Sequence, residues 1–209
     1  MADPRDKTQT ARDAADDTAG TVAGTVAIVG RPNVGKSTLL NAIVGEKLAI
    51  VSPKPQTTRN RIVGVWNGPE GQIVFVDTPG IHPARSALNR FMVQEAYGAL
   101  EGVDAVLLVL DVSNVPTTPG LPPASAVDKV ERDIITNAHA EERPVVLALN
   151  KVDRLKDKKL LLPLLPAWLE AFQLAGIVPS AATKGKGVDG IIKELLAVLP
   201  KGPPLYGPD

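Results

Sequence analysis

The sequence contains no cysteine, only 3% aromatic residues and no excess of charge of either sign. Without cysteine, disulfides and thiolate metal sites are excluded, and the composition suits a reducing compartment. Because 23 basic residues balance 23 acidic ones, charge alone does not favour nucleic acid, and we expect no DNA partner. No apolar run approaches the ~20 residues that cross a bilayer, and the N-terminus lacks a signal pattern. We therefore expect a cytoplasmic protein.

The 209 residues divide into one long patterned segment and two polar ends. Apart from Met1, residues 1–22 contain no large apolar side chain before Val22, which predicts a disordered N-terminal tail. Residues 201–209 are rich in proline and glycine and predict a linker or chain end. The segment between them, residues 23–200, is predicted to form a single domain with its own core.

Short β-branched runs alternate with helical patterns along this domain. The predicted strands are 26–30, 61–67, 72–78, 104–111, 144–151 and 176–180, and the predicted helices are 36–45, 88–100, 124–141, 157–174 and 188–198. Only the NGPEG step after the second strand is too short for a helix, so it predicts a hairpin. The pattern predicts a three-layer α/β fold with a mostly parallel six-stranded sheet and one antiparallel edge strand, and ligands at the carboxyl ends of its strands.

The segment GRPNVGKS, residues 30–37, fits the phosphate-loop pattern G-x-x-x-x-G-K-[ST] between a predicted strand and a predicted helix. Glycines let backbone N–H groups wrap around phosphate oxygens, and the helix N-terminus adds its positive end. The lysine is predicted to reach the β- and γ-phosphates and the serine to bind Mg²⁺. The predicted nucleotide-binding residues are Asn33, Val34, Gly35, Lys36, Ser37 and Thr38, of which Lys36 is also predicted to be catalytic and Ser37 to be a metal ligand.

A second strand ends in FVDTPG, residues 75–80. Asp77 is predicted to hold Mg²⁺ through water, and the Gly80 N–H to meet the γ-phosphate, which makes Gly80 a catalytic candidate. DTPG alone is a common turn, but after a hairpin and a phosphate loop the pattern is specific.

A third strand ends in LALNKVD, residues 147–153. The Asp153 carboxylate would accept hydrogen bonds from guanine N1–H and the 2-amino group, which adenine lacks. Asn150 is predicted to brace the neighbouring loop, and the Lys151 stem to cover the base. This pattern disfavours a phosphate-loop ATPase and predicts a guanine site.

Together these motifs resemble the translation-factor-like GTPases, and QTTRNRIVG (56–64) and DTPGIH (77–82) are similar to the Era GTPase family. The resemblance implies the P-loop GTPase fold over most of the chain. It also implies that Thr58 is a switch threonine closing on Mg²⁺ and the γ-phosphate, with Thr57 as the alternative, and that residues 79–90 form the second switch.

The last guanine loop, VPSAATKGKG (178–187), departs from the family pattern of proline, an apolar residue, serine and alanine. Aligned without a gap, Ala181 takes the place of the serine, and the Ala182 N–H would meet guanine O6. A shift by one residue would use Ser180 and Ala181 instead. The gapless alignment also aligns Gly185, so it is the one we adopt.

The resemblance implies a Mg²⁺-dependent, GTP- and GDP-binding GTPase switch in assembly of the small ribosomal subunit and 16S rRNA maturation. Binding of 16S rRNA is expected only in a full-length protein, through a KH domain that residues 201–209 do not contain. Peripheral association with the inner membrane is a further expectation of the resemblance. The alternative interpretation is a nucleotide-gated binding module whose hydrolysis is incidental.

The residue after the D-x-x-G motif is Ile81, which cannot orient a water molecule as glutamine does in Ras-type GTPases. We expect slow intrinsic turnover and a solvent-facing role for His82. Asn33 lies where related GTPases with a hydrophobic residue after D-x-x-G bind potassium, so a K⁺ site is expected there. The alternative is that Asn33 braces the loop.

Overall fold

A computed structural model describes residues 21–45, 61–77, 100, 102–114, 127 and 129–207. Within these ranges the strands are β1 (Val22–Val29), β2 (Arg61–Gly68), β3 (Gly71–Asp77), β4 (Ala105–Asp111), β5 (Val145–Asn150) and β6 (Gly176–Pro179). The α-helices are α1 (Lys36–Val44), α2 (Lys129–Ala140), α3 (Leu164–Ala171) and α4 (Val188–Val198).

The six strands form one sheet in the order β2-β3-β1-β4-β5-β6. Only the β2–β3 pair is antiparallel, and the other neighbours are parallel. The predicted α/β sheet with one antiparallel edge strand is therefore confirmed. Because β3, β1, β4 and β5 run parallel to one another, their carboxyl ends lie at one edge of the sheet.

Helices cover both faces of the sheet and make two cores. On one face, α1 and α4 pack through Leu39, Ile43, Ile191 and Leu195. On the other face, α2 and α3 pack through Ile134, Ile135, Ala138 and Trp168. Strands buried on both faces need mostly apolar residues, and all six residues of β5 are buried, of which only the last, Asn150, is polar. This explains the continuous apolar runs of the central strands.

Three elements differ from their predicted bounds by more than two residues, and one of them is α2, which begins at Lys129 instead of residue 124. Strand β1 begins at Val22 instead of residue 26, because Val22 to Thr25 pair with β3 although Gly24 is a weak strand former. The predicted helix 157–174 is α-helical only in α3, after a short 3-10 helix at Lys158–Leu161. Leu162 keeps helical dihedrals, but Pro163, directly before α3, has no N–H to donate, so the run of helical hydrogen bonds is interrupted there.

The segment that follows α4 packs against the amino-terminal end of the sheet. Lys201 pairs with Val22, and the Gln72 side chain accepts from the N–H groups of Leu205 and Tyr206 at 2.8 and 3.0 Å. Gln72 is only 2% exposed, although it is polar. The part of the predicted linker that the structure describes, residues 201–207, is thus held to β3 by a buried side chain.

Several predictions lie outside the described residues. These are the tail up to residue 20, Thr57 and Thr58, the second switch at 79–90 with Gly80, Ile81 and His82, and the helix 88–100 apart from residue 100. Among the described ranges, no helix is long and apolar enough to span a bilayer.

Candidate functional site

The phosphate-loop residues lie between the end of β1 and the start of α1, as the motif requires. Gly35 has a φ of 102° and Asn33 a φ of 65°, both in the left-handed region. A Cβ on Gly35 would lie 2.4 Å from Asn150 Nδ2, and one on Gly30 would lie 2.3 Å from the Val109 carbonyl oxygen. The positive φ and the close approach of neighbouring atoms both require glycine at positions 30 and 35.

Helix α1 begins at Lys36, directly after this loop. A helix N-terminus presents N–H groups that lack partners within the helix, together with the positive end of the helix dipole. Ser37 and Thr38 are exposed in this first turn. Lys36 Nζ donates to the carbonyl oxygens of Gly30 and Arg31 at 2.7 and 3.0 Å, so the ammonium lies against the backbone of the same loop.

Asp77 is the last residue of β3, and its backbone pairs with Ile28 of β1. The register therefore brings Asp77 to within two residues of Gly30 along the neighbouring strand. This is the edge of the sheet where the phosphate loop begins.

Asn150, at the end of β5, connects two loops. Its Nδ2 donates to the Val34 carbonyl at 2.9 Å, and its Oδ1 accepts from the Ala182 N–H at 3.1 Å. Ser180 Oγ lies 3.4 Å from the same Oδ1. Asn150 is 2% exposed, so these bonds form away from water. The phosphate loop and the loop after β6 are held together by one buried side chain.

The hydrogen bond to Ala182 bears on the guanine prediction. The Ala182 N–H, predicted to meet guanine O6, donates to Asn150 in the structure, and the Ala181 N–H donates to the Lys186 carbonyl at 3.0 Å. A contact between Ala182 and O6 would require the Asn150 bond to be shared or exchanged. Thr183, exposed beside them, was not singled out from the sequence.

A shallow pocket lies along this edge of the sheet, next to the phosphate loop. Its lining residues come from the phosphate loop, the loop after β5 and the loop after β6: Gly35, Thr38, Asn150, Lys151, Asp153, Arg154, Ala182 and Thr183. Asp153 is half-buried in this lining, and its Oδ2 lies 3.4 Å from Lys184 Nζ. The pocket lining thus joins two residues of the predicted phosphate loop, Gly35 and Thr38, to four of the predicted base site, Asn150, Lys151, Asp153 and Ala182. The other described residues of the prediction, Asn33, Val34, Lys36, Ser37, Asp77 and Ala181, are not in this lining.

Lys151 has a left-handed backbone with a φ of 66°, and its ammonium donates to two groups. Nζ lies 2.5 Å from the Asn33 carbonyl oxygen and 2.7 Å from Asp111 Oδ2. Burial raises the pKa of Asp111, but hydrogen bonds from Lys151 and Ser113 outweigh it, so the pKa lies below its ordinary value. The Asp111 carboxylate is therefore ionised at neutral pH.

Asp111 and Ser113 were missed from the sequence. A signal was available, because Asp111 directly follows the buried strand VLLVL just as Asp77 and Asn150 follow theirs. Among the described residues, no cluster of three or more His, Cys, Asp or Glu side chains is placed to hold a metal. The predicted magnesium ligands Ser37 and Asp77 are a hydroxyl and one carboxylate, with Thr58 outside the described ranges.

Comparisons with known proteins agree with this geometry. A family model described as 50S ribosome-binding GTPase matches residues 25–151. The GTPase Era of Stenotrophomonas maltophilia is 45% identical over 187 residues, which are 89% of this chain and 59% of that protein. The GTPase Era of Xylella fastidiosa is 46% identical over 187 residues, with the same coverage. The chain therefore spans 59% of the length of these relatives.

Two solved structures are similar over nearly the whole chain. An Era variant of Aquifex aeolicus bound to GDP.AlF4- is 38% identical with a TM-score of 0.67, covering 90% of this chain and 61% of that one. An Era complex with MgGDPNP and part of 16S ribosomal RNA is 39% identical with a TM-score of 0.68 and the same coverage.

Proposed function

Because this chain belongs to the family of 50S ribosome-binding GTPases and is similar to Era GTPases, we propose that it binds GTP and GDP with Mg²⁺ and hydrolyses GTP as a molecular switch. One observation carries the proposal. The buried Asn150 side chain joins the phosphate loop, through Val34, to the loop after β6, through Ala182. A phosphate-binding and a base-binding loop are thereby fixed at one edge of the sheet, as a nucleoside phosphate requires.

The residues present fit a guanine nucleotide. Gly30 and Gly35 keep the phosphate loop close to the sheet, where any Cβ would collide with Val109 or Asn150. Asp153 lies in the pocket lining, and its carboxylate would accept from the two N–H donors that distinguish guanine from adenine. The Lys151 stem lies beside it and would cover the base.

In this proposal, phosphate oxygens would replace the Gly30 and Arg31 carbonyls as acceptors for Lys36. Exposed Ser37 and the carboxylate of Asp77 would hold Mg²⁺, which neutralises charge on the phosphates when bound. Thr58 and Gly80 complete the predicted catalytic set. Turnover by the domain alone is expected to be slow, since Ile81 cannot orient the attacking water.

A K⁺ site at Asn33 belongs to the same proposal. Asn33 is exposed, and its left-handed backbone sends its carbonyl towards Lys151 while leaving the side chain at the loop surface. A monovalent cation there would offset charge developing between the β- and γ-phosphates.

The biological role is proposed from the relatives. An Era structure contains 16S ribosomal RNA, which supports a role in small-subunit assembly for the whole protein. RNA contact through a KH domain and peripheral membrane association would belong to parts of such a protein beyond the described residues. The domain itself is expected to bind RNA weakly and in a salt-sensitive way.

Single-turnover hydrolysis of GTP with Mg²⁺ tests the proposal, with excess ATP as competitor. We expect hydrolysis that ATP does not suppress and that Lys36→Ala reduces by roughly tenfold or more, since a charge-assisted contact to phosphate is lost. Lys193→Ala, an exposed lysine on α4, is the matched control and should behave as the parent.

Small ribosomal subunits added to the same reaction, run with a full-length protein that carries a KH domain, separate the two interpretations of the switch. Faster hydrolysis with subunits supports the GTPase switch. Nucleotide-dependent partner binding without any hydrolysis would favour the nucleotide-gated binding module. Absence of guanine nucleotide binding by the parent would contradict both.

A further inference from the structure

A carboxylate that the motifs do not include lies beside the base-binding loop. Asp111 ends β4 and pairs in register with Asn150 at the end of β5. Its side chain is only 11% exposed, and Oδ2 lies 2.7 Å from Lys151 Nζ. A buried charge without a partner carries a large desolvation penalty. Separating Asp111 from Lys151 is therefore unfavourable, and the two side chains stay together.

The carboxylate is fixed from its other side by Ser113. Asp111 Oδ1 accepts from the Ser113 N–H at 3.0 Å and from Ser113 Oγ at 2.5 Å. Since one oxygen is held by two donors, the other points in one direction. Lys151 therefore meets an acceptor that is already positioned.

The same ammonium reaches the phosphate loop. Lys151 Nζ donates to the Asn33 carbonyl at 2.5 Å, across 118 positions of sequence. Asn33 has a left-handed φ of 65°, an uncommon conformation for a residue other than glycine. Asp111 thus holds the lysine that holds the loop, and Asp111 itself is not among the residues that line the pocket.

We infer that Asp111 is a positioning residue that acts through Lys151 and slows the release of bound guanine nucleotide. The inference rests on the proposed function. With Asp111 in place, the Lys151 stem keeps one position over the base, and the Asn33 carbonyl keeps its donor. Without it, both the cover over the base and the tether on the phosphate loop loosen.

This role differs from base selection. Asp153 would form hydrogen bonds with the edge of the purine, where guanine and xanthine differ. Lys151 would cover the face of the ring, which is the same in both bases. Loss of Asp111 should therefore speed the release of guanosine and xanthosine nucleotides by the same factor. The preference between them should not change.

Stopped-flow release of a fluorescent GDP analogue tests the inference on the whole chain with Mg²⁺. Asp111→Asn should release it about tenfold faster, the factor expected for one charge-assisted hydrogen bond. Asp104→Asn is the matched control, because Asp104 lies just before β4 at its other end and accepts from the Thr25 N–H and hydroxyl at 2.7 and 2.9 Å. Both variants remove similar bonds, but only Asp111→Asn should change release.

A double-mutant cycle with Lys151→Met distinguishes positioning from a structural role. Lys151→Met keeps the stem and removes the ammonium, so release should be faster, and adding Asp111→Asn should then change nothing further. Factors that multiply in the double variant would show that Asp111 acts independently of Lys151 and would overturn the inference.

Ser113→Ala provides a second route if Asp111→Asn fails to fold. Ser113 is exposed, and removing its hydroxyl frees the Asp111 carboxylate to turn, so release should be faster, by a smaller factor than in Asp111→Asn. In a protein that already carries Lys151→Met, adding Ser113→Ala should not change the release rate further. Parent-like release in both Asp111→Asn and Ser113→Ala would overturn the inference while leaving the proposed function intact. A parent that binds no guanine nucleotide would overturn both.

Discussion

Replacing Asn150 with alanine should destabilise the protein even when no nucleotide is present. Two hydrogen bonds of good length would be lost, to the Val34 carbonyl at 2.9 Å and from the Ala182 N–H at 3.1 Å. The longer contact with Ser180 Oγ, at 3.4 Å, adds less.

The magnitude follows from what alanine leaves behind. Each buried backbone group left without its partner costs about 1–3 kcal/mol, so two of them cost about 3 kcal/mol in the free energy of unfolding. For a domain of this size, that corresponds to a melting temperature lower by about 6–12 °C. The loss is a large share of the ~5–15 kcal/mol that stabilises typical domains.

Denaturant unfolding of the nucleotide-free protein measures this cost. Asn137→Ala is the matched control, because Asn137 makes one side-chain bond to the Asp133 carbonyl within α2 and does not line the pocket. The control should change stability by less than about 1 kcal/mol. If Asn150→Ala also stays within that limit, the buried network does not hold the two loops together, and the geometry on which the site is argued loses its basis.

Three further predictions concern other parts of the molecule. Hydrolysis should be faster in potassium than in sodium at equal ionic strength, and Asn33→Ala should abolish the difference; equal rates for the parent would leave Asn33 structural. Gln72→Ala should cost about 2–3 kcal/mol and expose the segment after α4 to proteolysis, because the buried Gln72 amide bonds to Leu205 and Tyr206; an unchanged cleavage pattern would refute this role. Since the pKa of Asp111 is lowered, its pairing stabilises the protein above the ordinary aspartate value of about 3.9 and is lost as pH falls through the folded pKa, so the stability advantage of the parent over Asp111→Asn should shrink in acid. An advantage that grows in acid would contradict that sign.

Local motifs were predicted well because their signals lie within a few residues. The phosphate loop and α1 agree with the structure to within one residue at the helix end, and α4 agrees at both ends. Glycine spacing, a lysine and an amphipathic pattern are all contained in one short segment. The same holds for the β2–β3 hairpin, whose turn residues separate two short strands.

Contacts between distant residues could not be predicted in this way. Asp111 and Lys151 are separated by 40 positions, and Gln72 and Leu205 by 133. Their pairing depends on strand order, which no local pattern contains. The early start of β1 is a related case, because the pairing of Gly24 with β3 overrides its weak preference for a strand.

The account depends most directly on Asp153 as the residue that selects guanine. Asp153→Asn replaces an acceptor with a donor, and xanthine presents a carbonyl at the position of the guanine 2-amino group. Competition titration of GDP against the xanthosine diphosphate analogue measures the preference, with Asp157→Asn, an exposed aspartate four residues later, as the matched control. We expect the parent and the control to prefer GDP and Asp153→Asn to prefer the xanthosine nucleotide. Unchanged GDP affinity in Asp153→Asn would contradict the assignment of the base site and, with it, the proposed function.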